Sequence, residues 1–525
     1  MGSQLAPITP SIANRIGRML AIREATAAGD AFVQAVEQYD NGDEALYADK
    51  CGTYTKCIKQ AAIGLVDLAA WDTFEKALNS GVEADFNNVT LGGTRTLNGP
   101  QGGLAFDLQC RDWSQFLVPP APALASEEYA TELVELYWAS LLRDVAFTDY
   151  AMNQVAINAA NELTMMPAYK GPRNAMGQVS PDLLFRGNYP GETDGPYLSQ
   201  FLLQPTCMGA LPITQQYKTF RAGVDYMLDP ASYQQVQNGI PTGQVLQVLL
   251  NPLYLHDGRG LGAYTHNDVL YQAYFIAHLV LQTLNGISCA VKDNPAPFNA
   301  GNPYNGNPTQ NGFTSMGPPD IAATMAAVAS EALKSVWYQK WYIHLRHRPE
   351  SGGALVYLAK TGQGNSVEGL PSATVLNSQA VAEAFAKNNS YFLSQAFPEG
   401  SPSHPAYPTG HGTVAGACIT VLKFFYNGAT PIPNPVVPKN DGTQLLNYVG
   451  PNLTVNGELN KLAHNISFGH GIHPGIHWRS DTDTSIKLGE AVALSVLRDR
   501  ARTYNEKFTM QLMKVDGTIA TISNE

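Results

Sequence analysis

Residues 320–349 read DIAATMAAVASEALKSVWYQKWYIHLRHRP, an apolar segment that runs into a cluster of basic side chains. Apolar residues occupy nearly every side of the predicted helix before this cluster, which is typical of a helix buried inside a protein. At about 100° per residue, Lys340, His344 and Arg348 would share one face of that helix. Pro349 disfavours a helical conformation for the residue before it, so the helix is predicted to end at Arg348. The cluster is either a solvated basic helix end or a cationic lining within the protein.

Helical periodicity dominates the rest of the sequence and predicts a mainly all-α fold with long loops and only short strands. Helices are predicted over residues 12–36, 126–163, 263–284, 320–345, 380–397, 412–425, 458–468 and 483–507. Strand patterns are limited to residues 245–250 and 354–358, and Pro/Gly/Asn-rich loops to residues 91–103, 285–319, 352–371 and 428–452. Because no linker clearly divides the chain, we expect one large domain over residues 1–525.

Length and composition exclude several classes of protein. The 525 residues are 44% hydrophobic and 10% aromatic, which suffices for a large core and excludes a disordered chain. No apolar run reaches the ~20 residues of a membrane span. The N-terminus also lacks the pattern of a secretory signal, so we expect a soluble protein with no membrane partner. The compartment is left open.

The net charge and the cysteine content exclude further classes of partner and of structural site. The net charge is −11 without any block of Lys and Arg, so nucleic acid is not expected as a partner. Six cysteines are too few for a disulfide scaffold, and a zinc ribbon is excluded because no Cys-x-x-Cys pair occurs. Cys51 and Cys57 could pair, but buried thiols are the simpler interpretation.

A second group of chemically active residues is His404-Pro405-Ala406-Tyr407-Pro408-Thr409-Gly410-His411. Pro408 and Gly410 bend the chain, and the segment after His411 is predicted to be helical. The Thr409 hydroxyl and the free N–H groups at that helix N-terminus would bind an anion. Alternatively, Thr409 serves only as a helix cap.

A third segment, Phe468-Gly469-His470-Gly471-Ile472-His473-Pro474-Gly475-Ile476-His477, holds three of the eleven histidines. A metal cluster is the rival interpretation, but no cysteine is near, and the glycines and Pro474 of the segment speak against a helical pair of ligands four residues apart. Asp481, four residues after His477, could orient that imidazole. A glycine-rich loop with packing histidines is the remaining alternative.

In combination, the three segments resemble the vanadium-dependent haloperoxidases and the related phosphatidic-acid-phosphatase-type acid phosphatases. The shared order is Lys-x7-Arg-Pro, then Pro-(Ser/Thr)-Gly-His, then Gly-(Val/Ile)-His-x3-Asp. The Lys340-Trp341 pair and the His404-Pro405 lead-in are similar to the bromoperoxidase branch. The likeness extends over roughly residues 168–500, so the oxyanion site is assigned to residues 168–525, and residues 1–167 are placed in the same helical-bundle domain by analogy.

The resemblance implies a peroxidase that binds vanadate and uses hydrogen peroxide to oxidise a halide, bromide first, and to halogenate a small organic substrate. His477 would be the ligand of vanadium, and Lys340 and Arg348 would hold the vanadate oxygens. Thr409 and the Gly410 N–H would add hydrogen bonds.

The same resemblance assigns two catalytic histidines and further partners. His411 would take a proton from hydrogen peroxide, and His404 would modulate the reactivity of peroxide or halide. Relatives commonly assemble, so a homo-oligomer is expected. The loop at 285–319 could cover the pocket, and its carbonyls together with Asp320 could hold a structural calcium.

Two positions depart from the family pattern. Thr409 replaces a serine, which keeps the hydroxyl. An arginine is expected six residues before His477, where this chain has Gly471; a one-residue insertion would place His470 there instead. Either alignment removes a permanent cation, and the loss of a charged hydrogen bond of roughly 1.5–3 kcal/mol would weaken vanadate binding about tenfold or more. A protonated His470 or His473 would compensate and make the affinity depend on pH.

Three functions therefore remain open. The first is a working haloperoxidase, whose preference among chloride, bromide and iodide the sequence does not decide. The second is a homologue without vanadate that uses its histidines for acid–base chemistry, such as an isomerisation or rearrangement, and Gly471 is its whole support. The third is an acid phosphatase in which His477 attacks phosphate and His411 protonates the leaving group, although the Lys-x7-Arg spacing argues against it.

Overall fold

The computed structural model describes residues 15–284, 286, 289, 295–364 and 369–524. Within these ranges the chain is mainly helical, which confirms the predicted fold class. The α-helices are α1 (Arg15–Ala31), α2 (Asp43–Leu46), α3 (Leu68–Ser80), α4 (Glu83–Asn87), α5 (Glu127–Leu142), α6 (Gln154–Thr164), α7 (Pro230–Gln237), α8 (Gly258–His266), α9 (Gln272–Gln282), α10 (Pro318–Tyr338), α11 (Pro349–Lys360), α12 (Ala373–Leu376), α13 (Gln379–Asn388), α14 (Gly410–Phe425), α15 (Val455–Gly471) and α16 (Arg479–Ala501). Short 3-10 helices cover Pro100–Leu104, Trp113–Gln115, Phe147–Met152, Pro181–Leu183 and Gln200–Leu202, and a π-helical turn covers Gln339–His344.

The strands of the described chain form separate antiparallel pairs of two. These pairs are β1 (Gln60–Ala62) with β2 (Leu65–Val66), β3 (Thr206–Met208) with β4 (Leu211–Ile213), β5 (Val436–Pro438) with β6 (Leu445–Asn447), and β7 (Thr509–Met513) with β8 (Ile519–Ser523). Each pair joins neighbouring segments of the chain, so helices form the framework and the strands do not.

Both predicted strands are wrong. Residues 354–358 lie inside α11, because Pro349 occupies the first position of a helix that carries the apolar run into the core. The predicted loop at 352–371 is therefore partly helical. Residues 245–250 form only an isolated bridge, between Val248 and Phe220. Short apolar runs of this kind do not distinguish a strand from a buried helical segment.

Two of the predicted helices are each divided. Residues 126–163 contain α5 and α6, because the side chains of Ser126 and Asn153 accept backbone N–H groups and start a separate helix each. Residues 263–284 contain the end of α8 and the whole of α9, and the gap between them exposes polar side chains toward a cavity. Helix breaks thus place functional groups where continuous helices were predicted.

Some predictions fall partly outside the described residues. The helix predicted over 12–36 corresponds to α1, and its start before residue 15 lies outside them. Residues 295–317 of the predicted loop at 285–319 contain no helix or strand, while most of residues 285–294 lie outside the described ranges.

The core centres on α14, in which every residue from Gly410 to Phe425 is buried. Helices α10, α15 and α16 pack around it. A Cβ atom at Gly416 would lie 2.0 Å from the Ile486 carbonyl oxygen, and one at Gly489 would lie 1.9 Å from the Thr413 carbonyl oxygen. Glycine at these two positions therefore lets α14 and α16 approach closely, which brings the first turns of both helices to one place.

A single hydrophobic cluster contains buried residues from Cys51 to Ile522. Side chains from both predicted parts of the chain, residues 1–167 and 168–525, pack into it, and the one-domain organisation stays a prediction. Among the helices that the structure describes, none combines the length and the apolar character needed to cross a membrane.

One disulfide joins Cys207 to Cys289 and closes a loop of 82 residues. No local sequence pattern predicts this pair, because the two cysteines are 82 positions apart in the chain. Cys51 and Cys57 are free and buried, as the simpler interpretation predicted. Disulfides persist mainly in oxidising compartments, so this bond favours an oxidising compartment, a question that the sequence did not decide.

We expect reduction of this bond to lower the free energy of unfolding by about 2–4 kcal/mol, because the cross-link restricts the unfolded chain. Chemical unfolding of the protein with and without reductant measures the effect. The double variant Cys207→Ser, Cys289→Ser should show the lower stability in both conditions. A wild-type unfolding midpoint unaffected by reductant would contradict the assignment.

Candidate active site

The basic cluster lies between α10 and α11, where the helical path is interrupted. α10 gives way to the π-helical turn, and Leu345 then reverses the chain with φ 42°. Pro349 starts α11, with Arg348 as its cap residue. The prediction that Lys340, His344 and Arg348 share one helix face is therefore wrong, because the proline begins a new helix. His344 lies outside the site.

Lys340 and Arg348 nevertheless point to the same place. Lys340 Nζ donates to two backbone carbonyls of the segment 404–411, at 2.7 and 2.8 Å. Arg348 Nε donates to the His404 carbonyl at 2.9 Å, and its Nη2 lies 3.0 Å from His404 Nδ1. Arg348 Nη1 lies 2.8 Å from His477 Nε2. All three predicted segments thus contribute to one cluster.

Neither of these two buried cations forms an ion pair with a carboxylate of the described residues. Most other buried cations do have a carboxylate within 3 Å, namely Lys56, Arg143, Arg259, Arg346, Lys461 and Arg479. Burial lowers the pKa of Lys340 well below its ordinary value, and the charge of Arg348 lowers it further. Burial also lowers the pKa of Arg348, to about 10. The cluster therefore has no direct carboxylate partner, and burial disfavours the charged forms of both side chains.

Thr409 immediately precedes α14, and its side chain does not cap the helix. The Thr409 hydroxyl is buried and has no hydrogen-bond partner among the described residues. Its backbone N–H donates to the Asp481 carbonyl at 3.1 Å. Gly410 opens the first turn of α14, where backbone N–H groups have no intrahelical acceptor. The interpretation of Thr409 as only a cap is thus wrong, and its hydroxyl is free to donate to a ligand.

His411 is held by an acidic partner that the sequence did not reveal. Its Nε2 lies 2.9 Å from Asp268 Oδ1, in the gap between α8 and α9. The ring stacks on His470 with 3.6 Å between centroids. The polar triplet His266-Asn267-Asp268 interrupts the apolar pattern of a predicted helix. This interruption was the one sequence feature that could have pointed to Asp268 as a functional residue. Asp268 gives His411 the support that an acid–base imidazole needs.

His477 is fully buried, and one carboxylate fixes its orientation. Its Nδ1 lies 2.8 Å from Asp481 Oδ2, which also accepts the N–H of Trp478 at 3.0 Å. Asp481 Oδ1 pairs with Arg346 at 2.8 Å. Burial, with the charges of Arg348 and Lys340, lowers the pKa of His477 well below its ordinary value. The imidazole is therefore neutral, with Nδ1–H donating to Asp481 and the Nε2 lone pair facing Arg348.

His470, and not Gly471, faces the candidate site. The ring centroids of His470 and His477 lie 5.6 Å apart, and His470 Nδ1 is buried without a partner in the described chain. A Cβ atom at Gly471 would lie 2.7 Å from His477 Cβ, so an arginine there would collide with His477. The arrangement supports the alignment with a one-residue insertion.

Two other basic residues in or just after this segment, His473 and Arg479, bond to partners outside the cluster. His473 Nε2 lies 3.0 Å from the Tyr197 hydroxyl, and burial lowers its pKa to about 3. A protonated His473 is therefore wrong as a compensating cation. Arg479 pairs with Glu135 at 2.5 Å on the far side of its helix start. Neither residue replaces the missing arginine.

A cavity of about 430 Å³ opens beside this cluster. His404, Gly410, His411 and His470 contribute to its wall, and the His404 ring packs on Trp337 at 4.7 Å. The described residues of the loop at 285–319 are absent from its lining, so the prediction that this loop covers the pocket is wrong for them.

The structural calcium finds no support. Asp320 Oδ2 accepts from the Tyr504 hydroxyl at 2.6 Å and from the Met316 N–H at 2.9 Å, and Oδ1 lies 3.6 Å from Arg500. Its oxygens are therefore already engaged. No cluster of three or more His, Cys, Asp or Glu suited to a metal ion occurs in the described part of the chain.

Comparison with known proteins gives near full-length relatives, although no family model matches the sequence. A vanadium-dependent bromoperoxidase of Ascophyllum nodosum is 31% identical over 92% of this chain and 87% of the relative. A vanadium-dependent bromoperoxidase of Corallina pilulifera is 31% identical over 93% of this chain and 95% of the relative.

A solved structure is similar over the whole fold. The homohexameric second vanadate-dependent bromoperoxidase of Ascophyllum nodosum superposes with a TM-score of 0.90 at 26% identity. The superposition covers 99% of this chain and 93% of the other.

Because Gly471 is packed against His477, we expect Gly471→Ala to lower the free energy of unfolding by about 1–3 kcal/mol, the usual effect of overpacking. Chemical unfolding measures the change. Gly364→Ala is a suitable control, since the nearest atom to its added Cβ is at 3.5 Å. Equal stability of Gly471→Ala and the wild type would show that residue 471 has room for a side chain.

Proposed function

Because this chain belongs to the family of vanadium-dependent bromoperoxidases, we propose that Lys340, Arg348, Thr409, Gly410 and His477 hold vanadate in it. The protein is a peroxidase that uses hydrogen peroxide to oxidise a halide, with bromide as the first candidate. The comparisons favour this function over the vanadate-free homologue and the acid phosphatase.

The observation that carries the residue assignment is the pair of buried cations without carboxylates. Burying an ion without a counter-charge costs several kilocalories per mole, so a bound anion would stabilise the charged forms of Lys340 and Arg348. Vanadate is a compact oxyanion, and charge-assisted donors bind such groups strongly. A bound anion would also restore the ordinary pKa of both cations.

The remaining donors fit the same group. The free Thr409 hydroxyl and the N–H of Gly410 are the uncharged donors that an oxyanion requires at a helix N-terminus. His477 presents the lone pair of Nε2, while Asp481 holds the proton on Nδ1, as expected of a histidine that ligates a metal. When bound, vanadate supplies a Lewis-acidic centre that activates hydrogen peroxide toward halide.

Two histidines have the proton-handling roles in this proposal. His411 lines the cavity and accepts the proton that hydrogen peroxide loses on entering, with Asp268 stabilising the resulting imidazolium. His404 lies against Arg348 and Trp337, where it orients the guanidinium and forms part of the wall near the reacting halide.

His470 stands in for the absent arginine. Burial lowers the pKa of His470 well below its ordinary value, and His411 and His477 add to the effect. A neutral imidazole still donates a hydrogen bond, but it is weaker than that of a guanidinium. Affinity for vanadate is therefore expected to be lower than an arginine at this place would give.

The organic product and the assembly are also proposals. A small electron-rich organic molecule accepts the oxidised halogen. The similar solved structure is a homohexamer, which supports a homo-oligomer for this chain.

His477→Ala should leave no vanadium bound after gel filtration, and Lys340→Met should weaken vanadate binding by at least about tenfold. Both changes remove a group that contacts the anion. Equilibrium dialysis with elemental analysis of vanadium measures the affinity.

Lys423→Met is the matched control for Lys340→Met, because Lys423 is also a buried lysine without an ion pair and bonds to Asn460 in the same protein. It should keep wild-type vanadate affinity. Equal losses in the two variants would show that Lys340 supports the fold and does not hold the anion.

His470→Arg should strengthen vanadate binding by about tenfold, since one charged hydrogen bond replaces a neutral one. The same dialysis experiment gives the result. His473→Gln, a change at the nearby histidine that faces Tyr197, should leave the affinity unchanged. Weaker binding in His470→Arg would place residue 470 outside the reach of the anion.

A further inference from the structure

The cavity beside the catalytic histidines is larger than peroxide and halide require. Its volume is about 430 Å³, within the roughly 300–1,000 Å³ of organic-ligand pockets. Its wall includes the apolar and aromatic side chains of Leu270, Leu333, Trp337, Phe397 and Ile476. Such a wall suits a flat organic ring.

Arg95 adds a fixed cation to this cavity. The N–H groups of Thr94 and Arg95 both donate to the Gly239 carbonyl, which anchors the backbone. Arg95 Nη1 donates to the carbonyls of Glu399 at 2.9 Å and Ser401 at 3.3 Å. Its Nε and Nη2 donate to no residue of the described chain, so guanidinium donors remain for a ligand.

The neighbouring carboxylate of Glu399 forms its hydrogen bond with His266 and forms none with Arg95. Glu399 Oε1 lies 2.6 Å from His266 Nε2, and the His266 ring packs on Phe397 at 4.1 Å between centroids. Arg95 therefore bonds to the backbone of Glu399, while the side chain of Glu399 bonds to His266. A second cavity of about 370 Å³ shares Arg95 and Glu399 with the first and offers room for an apolar substituent.

We propose that this cavity binds the organic substrate as a cyclic anion, a phenolate or an enolised dione, with its charged oxygen on Arg95 and its ring on the apolar wall. This inference rests on the proposed function and specifies its substrate class. Arg95 would favour the ionised form, and the negative oxygen makes the conjugated carbon nucleophilic. Binding in the same cavity as His411 and His404 keeps that carbon close to the oxidised halogen.

The halogenation step balances without any further reactant. Hypobromous acid, the product of bromide oxidation, meets the nucleophilic carbon of a dione enolate. The O–Br bond breaks, a C–Br bond forms, and hydroxide leaves. Hydroxide then takes the proton that the same carbon loses, which gives the bromo-enolate and one water.

Isothermal titration calorimetry of the full chain, with and without vanadate, tests binding of dimedone at a pH where it is an enolate. The uncharged methyl enol ether of dimedone is the ligand control. We expect the enolate to bind at least about tenfold more tightly than the ether, and Arg95→Met to remove that difference. Arg18→Met, at an exposed arginine of α1, should behave as the wild type.

A second variant guards against a local folding defect, because Arg95 also supports the backbone at Glu399 and Ser401. Leu270→Glu adds a negative charge to the cavity without removing a hydrogen bond, and it should weaken enolate binding by a similar factor. Equal binding of enolate and ether by the wild type, or unchanged enolate binding in both variants, would overturn the proposal.

Iodide oxidation to triiodide, measured without any organic substrate, separates this proposal from the proposed function. Arg95→Met should retain wild-type triiodide formation. A loss of triiodide formation in Arg95→Met would overturn the substrate role, because Arg95 would then act on halide oxidation itself. If the wild type binds the enolate but forms no triiodide, the proposed substrate site would stand and the proposed peroxidase activity would be contradicted.

Discussion

The Asp481 side chain and backbone contact all three segments from which the site is built. Its carboxylate accepts the Nδ1–H of His477 and pairs with Arg346, while its carbonyl accepts the N–H of Thr409. One residue therefore holds His477, the start of α14 and the turn that carries Arg348. This carboxylate bonds to His477 and Arg346 and makes no direct contact with Lys340 or Arg348, so it orients the proposed anion site from outside.

The positive charge of the site follows from that arrangement. Lys340 and Arg348 are buried among carbonyls and imidazoles, and no described carboxylate pairs with them. A protein tolerates this arrangement if an anion completes it. His470 lies where the motif pattern predicts an arginine, so the proposed vanadate site would depend more heavily on Lys340, Arg348 and the uncharged donors at Thr409 and Gly410.

The cavity extends the proposed site. Two histidine–carboxylate pairs line it, His411 with Asp268 and His266 with Glu399. His266 ends α8 and Asp268 lies in the break between α8 and α9, so this break contributes to both pairs. In the proposed function the first pair would handle protons next to the anion, and in the proposed substrate site His266 would bind Glu399 while Arg95 keeps donors for an organic anion.

The sequence by itself determined the helical class, and it was enough to propose Lys340, Arg348, Thr409, Gly410 and His477 as an anion-binding set, because hydrophobic period and motif spacing are local properties of a chain. Helix breaks were predicted less well, since their positions depend on caps and on turns whose stability comes from distant contacts. Only the tertiary structure decided that a π-helical turn separates the two cations and that His470 faces the site while Gly471 packs beneath His477. It also supplied the remote partners Asp268 and Arg95. These depend on contacts between residues more than a hundred positions apart in the chain, which no local pattern encodes.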